Sequence, residues 1–235
     1  MERRLGVGTT LSEAFSIYRK QAGVLLPVAF WLFLALGVIE ALAADSLELS
    51  LLALVVGIAL STLYQGMVVG LVSDVQDGRR DSSIGELVRS VTPVLAPLIG
   101  AGILAGLGIV GGFVLFVVPG LYLLTIWAVV APVIVVERRP IFDAFGRSRQ
   151  LVRDNGWPVL GAVLTAYLIT FAAAVVFIAI AVSLAEGILV EIVFSALAST
   201  LTAPIPALVA AVLYFRLRAI KDERPADANP QETAA

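Results

Sequence analysis

Charged residues are confined to a few short stretches of this chain. Between them lie runs with none at all: 21–39, 49–73, 90–136, 155–185 and 192–215. A helix needs about 20 apolar residues to cross the roughly 30 Å hydrocarbon core of a bilayer, so four of these runs predict one crossing each. The run 90–136 is about twice the length one helix needs and carries Pro119-Gly120 inside it. It predicts two crossings joined by a tight hairpin near 116–120. The sum is six. The pattern leaves the continuity of the last crossing open, because Pro204 and Pro206 interrupt it and 191–203 reads equally well as a separate short helix.

The polar stretches carry their own periodicity. Thr10-Leu-Ser-Glu-Ala-Phe15, Ser83-Ile-Gly-Glu-Leu-Val88 and Pro140-Ile-Phe-Asp-Ala-Phe145 align without gaps. Each begins with a helix-initiating residue and has an acid three positions later. Thr10 with Glu13 and Ser83 with Glu86 have the spacing of capping boxes, and Pro140 suits a first helical turn. Apolar residues at Leu11, Ala14, Phe15 and Tyr18, and at Ile84, Leu87, Val88 and Val91, follow a helical period. The third copy keeps Ile141, Ala144 and Phe145 and breaks at Ser148. These predict three short amphipathic helices lying in the membrane interface. An arginine pair precedes each one, and two crossings follow each. The unit this implies is interfacial helix, crossing, crossing, in candidate repeats 3–73, 79–136 and 138–215 of a single membrane domain 1–220. The alternative is that basic amphipathic linkers recur in any polytopic protein. The polar segment 221–235 is expected to be a disordered tail.

Composition narrows the class further. Hydrophobic residues are 60% of the 235, and charged residues are 14%, against about 45–50% and about 25% in a soluble domain. A water-soluble globule of this size would leave too much apolar surface exposed, so the chain reads as an integral membrane protein. It has no histidine and no cysteine. Imidazole bases, thiolate nucleophiles, Ser-His-Asp triads, His/Cys metal sites and disulfides are thereby excluded. No cofactor or metal is expected. The net charge of −2 argues against a nucleic-acid partner, which wants a basic field. The polar start, Met1 to Lys20, does not read as a cleavable signal.

The distribution of charge predicts orientation. All 16 lysines and arginines fall before the first crossing, after the second, after the fourth and after the sixth. The alternate connections hold only the acids Glu40, Asp45, Glu48, Glu186 and Glu191. Under the positive-inside rule both termini are then cytoplasmic. Fourteen of the 16 basic residues are arginine. Arg79, Arg80, Arg138, Arg139, Arg147, Arg149 and Arg153, on or beside the interfacial helices, form a candidate rim for anionic lipid of the cytoplasmic leaflet or for a protein partner. The competing reading is that they set topology only. The acids on the other side read as solvated loop residues. Inside the membrane Gln65 is the one strong hydrogen-bonding side chain, read either as an interhelical contact or as part of a substrate path. Gly66 with Gly70, Gly102 with Gly106, and Gly108 with Gly112 offer small-residue faces, for packing inside one bundle or between copies.

Several segments together carry a family resemblance: LSEAFSIYRK, the Pro119-Gly-Leu-Tyr122 turn, Pro132-Val-Ile-Val-Val-Glu137, Ala144-Phe-Gly-Arg-Ser148 through Leu151 to Gly156-Trp157, and Leu213-Tyr-Phe-Arg-Leu-Arg218. Over about residues 10–220 the chain resembles the membrane domain attached to some bacterial glycerophosphodiester phosphodiesterases, and related stand-alone membrane proteins. The resemblance implies a six-helix membrane module. It does not imply the hydrolase activity, whose chemistry rests on histidines this sequence lacks. Within the matching motifs Pro119, Gly120, Glu137, Arg147 and Ser148 are expected to serve architecture, with Glu137 pairing with Arg147 or another loop arginine.

The sequence thus predicts an all-α, six-crossing bundle with three cytoplasmic interfacial helices, in the bacterial cytoplasmic membrane. The expected function is that of a non-enzymatic accessory or scaffold protein. It would engage anionic lipid or a protein partner through its arginine rim. The alternative is a transporter or lipid-handling protein with a path near Gln65.

Overall fold

The computed structural model describes residues 5–78, 84–184 and 187–222. Arg3-Arg4, Arg79, Arg80, Ser83 with its half of the second capping box, Glu186 and the tail beyond 222 lie outside the described residues. The regular elements are helices throughout: α1 Val7–Ala43, α2 Leu47–Gln76, α3 Ile84–Val91, α4 Leu95–Leu115, α5 Val117–Ile126, α6 Val130–Glu137, α7 Ile141–Val152, α8 Gly156–Leu184, α9 Ile188–Thr202 and α10 Pro204–Asp222. They supply six stretches long and apolar enough to span a bilayer, among them Val117–Glu137 and Ile188–Asp222, each built from two helices. The molecule is an all-α polytopic membrane bundle. Large apolar side chains such as Leu52, Leu107, Phe171 and Ile178 point outward. Water would penalise that surface; lipid covers it.

The first amphipathic stretch is not a separate helix. It forms the opening turns of the 37-residue α1, about 55 Å long at 1.5 Å per residue. Nor does Thr10 cap it. The helix begins at Val7 on Gly6, and the Thr9 and Thr10 hydroxyls both donate back to the Gly6 carbonyl at 2.9 Å. Thr10 is fully buried there, and Glu13 is drawn instead to Arg216. α3 runs through a 3-10 turn, Thr92–Val94, into α4. Only α7 stands apart at both ends, with Pro140 one position ahead of its first turn.

Proline explains where crossings break. Pro132 has no N–H, and its ring crowds the carbonyl four residues earlier, at Ala128. The fourth crossing accordingly stops at Ile126 and restarts at Val130. The sixth divides at Ala203, just before Pro204, which resolves the continuity that the pattern left open. Lys221 and Asp222, expected in the tail, are still helical. Pro27, by contrast, leaves α1 continuous.

The turn between the third and fourth crossings is a single extended residue, Phe116. Its tightness depends on glycine. A Cβ at Gly112 would press on the backbone of Gly120, and one at Gly120 would collide with the Phe113 ring. Pro119 sits in the first turn of α5, where a missing N–H costs nothing. Two of the small-residue faces also serve internal packing, since Gly66 receives Val91 and Gly108 receives the Trp127 ring, whereas Gly106 has no neighbour within reach of an added Cβ.

Three crossings meet at the centre. Val68, Val69 and Val72 of α2, Val133 and Ile134 of α6, and Leu208, Val212 and Leu213 of α10 form the buried core. α1, α4 and α8 stand outside them. α2 packs on α4, α5 on α8, and α9 with α10 on α1, closing the ring.

Candidate functional site: the basic end and the central cavity

α6 ends at Glu137, and the chain turns back through Arg138, a left-handed residue (φ 55°). That backbone is costly for a long side chain. It is secured by its own guanidinium, which donates to the Ser90 carbonyl at 2.9 Å. The turn places Arg139 on the Glu137 carboxylate at 2.5 Å. Arg147, two turns into α7, donates to both oxygens of the same carboxylate at 3.1 and 3.3 Å. The Tyr214 hydroxyl of α10 donates to it at 3.1 Å. One carboxylate, 14% exposed, therefore ties α6, α7 and α10 together. Charge-assisted bonds at such a half-buried site are stronger than exposed ion pairs, which are screened by water.

A second junction joins the first turns of α1 to α10. Arg216 of α10 binds Glu13 at 2.6 Å and the Thr9 hydroxyl at 2.6 Å, and Gln76 of α2 donates to the other Glu13 oxygen at 3.1 Å. Lys221 closes onto Asp154 at 3.1 Å. Asp154, a left-handed residue (φ 74°), makes the corner between α7 and α8.

Arg149 and Arg153 are placed differently. Arg149 lies on the outer side of α7 and Arg153 caps its end four residues on; both are exposed, and neither side chain has a hydrogen bond or ion pair among the described residues. Both line a groove of 840 Å³ between α5, α7 and the start of α8. Its apolar walls include Val118, Leu121, Tyr122 and Leu160, Trp157 lines it while 85% exposed, and Asp154, paired with Lys221, borders it too. The predicted rim therefore divides. Arg138, Arg139 and Arg147 are engaged in internal contacts, Arg149 and Arg153 are open, and Arg79 and Arg80 lie outside the described residues.

α7 also stabilises the break in the fourth crossing. Ser148 is fully buried, and its hydroxyl donates at 2.7 Å to the carbonyl of Ile126, the last residue of α5. Phe145 packs edge-on against Trp127 with ring centroids 4.9 Å apart. The position that spoiled the amphipathic pattern of the third stretch is thus a polar contact that satisfies a carbonyl inside the membrane.

Gln65 sits at mid-span. Its neighbour Tyr64 reaches the Leu25 carbonyl at 3.3 Å and packs edge-on against Phe33. Gln65 borders two cavities, one of 280 Å³ and one of 320 Å³. Among the described residues no protein group hydrogen-bonds its amide. Tyr214, Pro132 and Tyr122 were not singled out as functional groups from the pattern of the chain. A signal existed for each, in a tyrosine preceding an arginine pair, a proline in mid-crossing, and an aromatic beside the hairpin turn. No protein-family model, curated protein or solved structure matches the chain.

Proposed function

We propose that the chain is a non-enzymatic accessory protein of the bacterial cytoplasmic membrane that engages anionic phospholipid at its basic end. In this reading the basic end faces the cytoplasm, as the positive-inside rule requires of a chain with this arginine distribution. The observation that carries it is the contrast on α7. Arg147 is neutralised by Glu137, while Arg149 and Arg153 stay unpaired above an apolar groove flanked by Trp157. Two guanidiniums one turn apart suit a phosphate, which they can bind through paired N–H donors. A tryptophan prefers the headgroup level, with its ring in the apolar region and its N–H in water. Apolar walls below two cations match a phospholipid in chemical order: headgroup above, acyl chain beneath. The resemblance to the phosphodiesterase-associated membrane domain supports a module that keeps company with phospholipid chemistry. The lack of histidine and cysteine supports the non-enzymatic part.

The test is native mass spectrometry of the protein released from lipid discs containing equal phosphatidylglycerol and phosphatidylcholine. The wild type should retain phosphatidylglycerol preferentially, and Arg149→Gln with Arg153→Gln should abolish the preference. Equal retention of the two lipids by the wild type, or an unchanged preference in the double variant, contradicts the reading.

A further inference from the structure

Two adjoining cavities border Gln65. Among the described residues, neither is lined by a charged side chain. Both are lined by Gln65 and Pro206, so the two spaces adjoin. The first is bounded by α2, the glycine-rich face of α4, and the break at Trp127-Ala128. The second lies between Thr62 of α2 and Ser199 and Thr202 of α9, at the break in the sixth crossing.

Hydrogen-bonding groups collect here without partners. The Gln65 amide and the hydroxyls of Thr62 and Ser199 make no hydrogen bond with any described residue; Gln65 lines both cavities, and Thr62 and Ser199 line the second. Pro204 and Pro206 carry no N–H, so the Thr200 and Thr202 carbonyls lose the helical donor four residues ahead. Unpaired polar groups at this depth are costly unless something in the cavity satisfies them. Discontinuous helices meeting at mid-membrane are where polar ligands are held in other membrane folds.

We infer that the paired cavities form a binding site for a small, uncharged, hydrogen-bonding solute of polyol type, with Gln65 as its central ligand. The absence of charge in the walls selects against ions, because a charge desolvated there would find no counter-charge. The amide offers both a donor and an acceptor, as a neutral polyol requires. At about 30 Å³ per water, a 280 Å³ cavity takes roughly nine waters, or a solute of a few carbons with its remaining hydration. This site is independent of the lipid groove, which lies at the end of the bundle and shares no lining residue with either cavity.

Trp127 lines the first cavity and makes a built-in reporter. The other two tryptophans, Trp31 and Trp157, are 68% and 85% exposed, so both are replaced by Phe in the test protein. The full chain in lipid discs is titrated with erythritol. Raffinose serves as a solute too large for either cavity, and choline chloride as a small charged one. Erythritol should give a saturable change in Trp127 emission, and the other two should not. Gln65→Leu should weaken it at least tenfold with thermal unfolding unchanged. If Gln65→Leu fails to fold, Gly106→Leu replaces it. A Cβ added at Gly106, which also lines the first cavity, meets nothing within 4 Å, so a larger side chain there should block binding by filling the space. A linear response to erythritol, an equal response to raffinose or choline, or undiminished binding in the folded variants overturns the inference.

Discussion

Arg147 and Arg149 are two residues apart on one helix and do opposite things. Arg147 faces inward onto a carboxylate shared with Arg139 and Tyr214, while Arg149 faces outward, unpaired, over an apolar groove. Two helical positions are about 200° apart around the axis, so a cluster of arginines on a short helix necessarily has a structural side and an available side. A count of basic residues sees one rim. The three-dimensional arrangement divides it into a part that holds helices together and a part free to meet something else. Substitutions on the inner side should therefore change stability, and those on the outer side should change only what the protein binds.

The largest effect is expected at the shared carboxylate. Glu137→Leu strands Arg139, Arg147 and the Tyr214 hydroxyl, and should destabilise the bundle by about 2–3 kcal/mol in thermal unfolding from lipid discs. An effect below half that would mean the junction is as weak as an ordinary surface pair. Next comes the hairpin. Gly120→Ala forces a methyl group into the Phe113 ring, and overpacking of this kind should cost about 1–3 kcal/mol, read as lower thermal stability and lower expression. Ser148→Ala removes the donor to the Ile126 carbonyl and should cost about 1 kcal/mol. Amide hydrogen exchange should rise at residues 126–130 more than elsewhere. If exchange rises uniformly, the hydroxyl is not what secures the break. The smallest stability change belongs to Arg149→Gln with Arg153→Gln, within about 0.5 kcal/mol of the wild type, despite the loss of two charges.

Crossing number and class were legible in the sequence because charge spacing against bilayer thickness is a strong constraint with few alternatives. The hairpin was legible for a similar reason, since Pro119-Gly120 interrupts a run no single helix can use. The break at 127–129 was not foreseen, although Pro132 was quoted as part of a motif. Whether a proline in a crossing bends or breaks its helix depends on what neighbours supply, and Ser148 and Phe145 come from another helix. The separate first interfacial helix failed for a related reason. Nothing interrupts Tyr18 to Gln21, so an amphipathic stretch and a crossing fused into one rod. Glu137 was expected to pair with Arg147 or another loop arginine, and it meets both Arg147 and Arg139. Tyr214, 77 residues from Glu137, and the partition of the arginines needed the tertiary structure.

The most direct measurement compares thermal unfolding in detergent with and without added phosphatidylglycerol for three proteins: the wild type, Arg147→Gln, and Arg149→Gln with Arg153→Gln. The wild type should be stabilised by the lipid. Arg147→Gln should begin lower and rise by the same amount as the wild type. The double variant should begin level with the wild type and fail to rise. Lipid stabilisation lost in Arg147→Gln but kept in the double variant would contradict the division of the basic end into a holding side and a binding side.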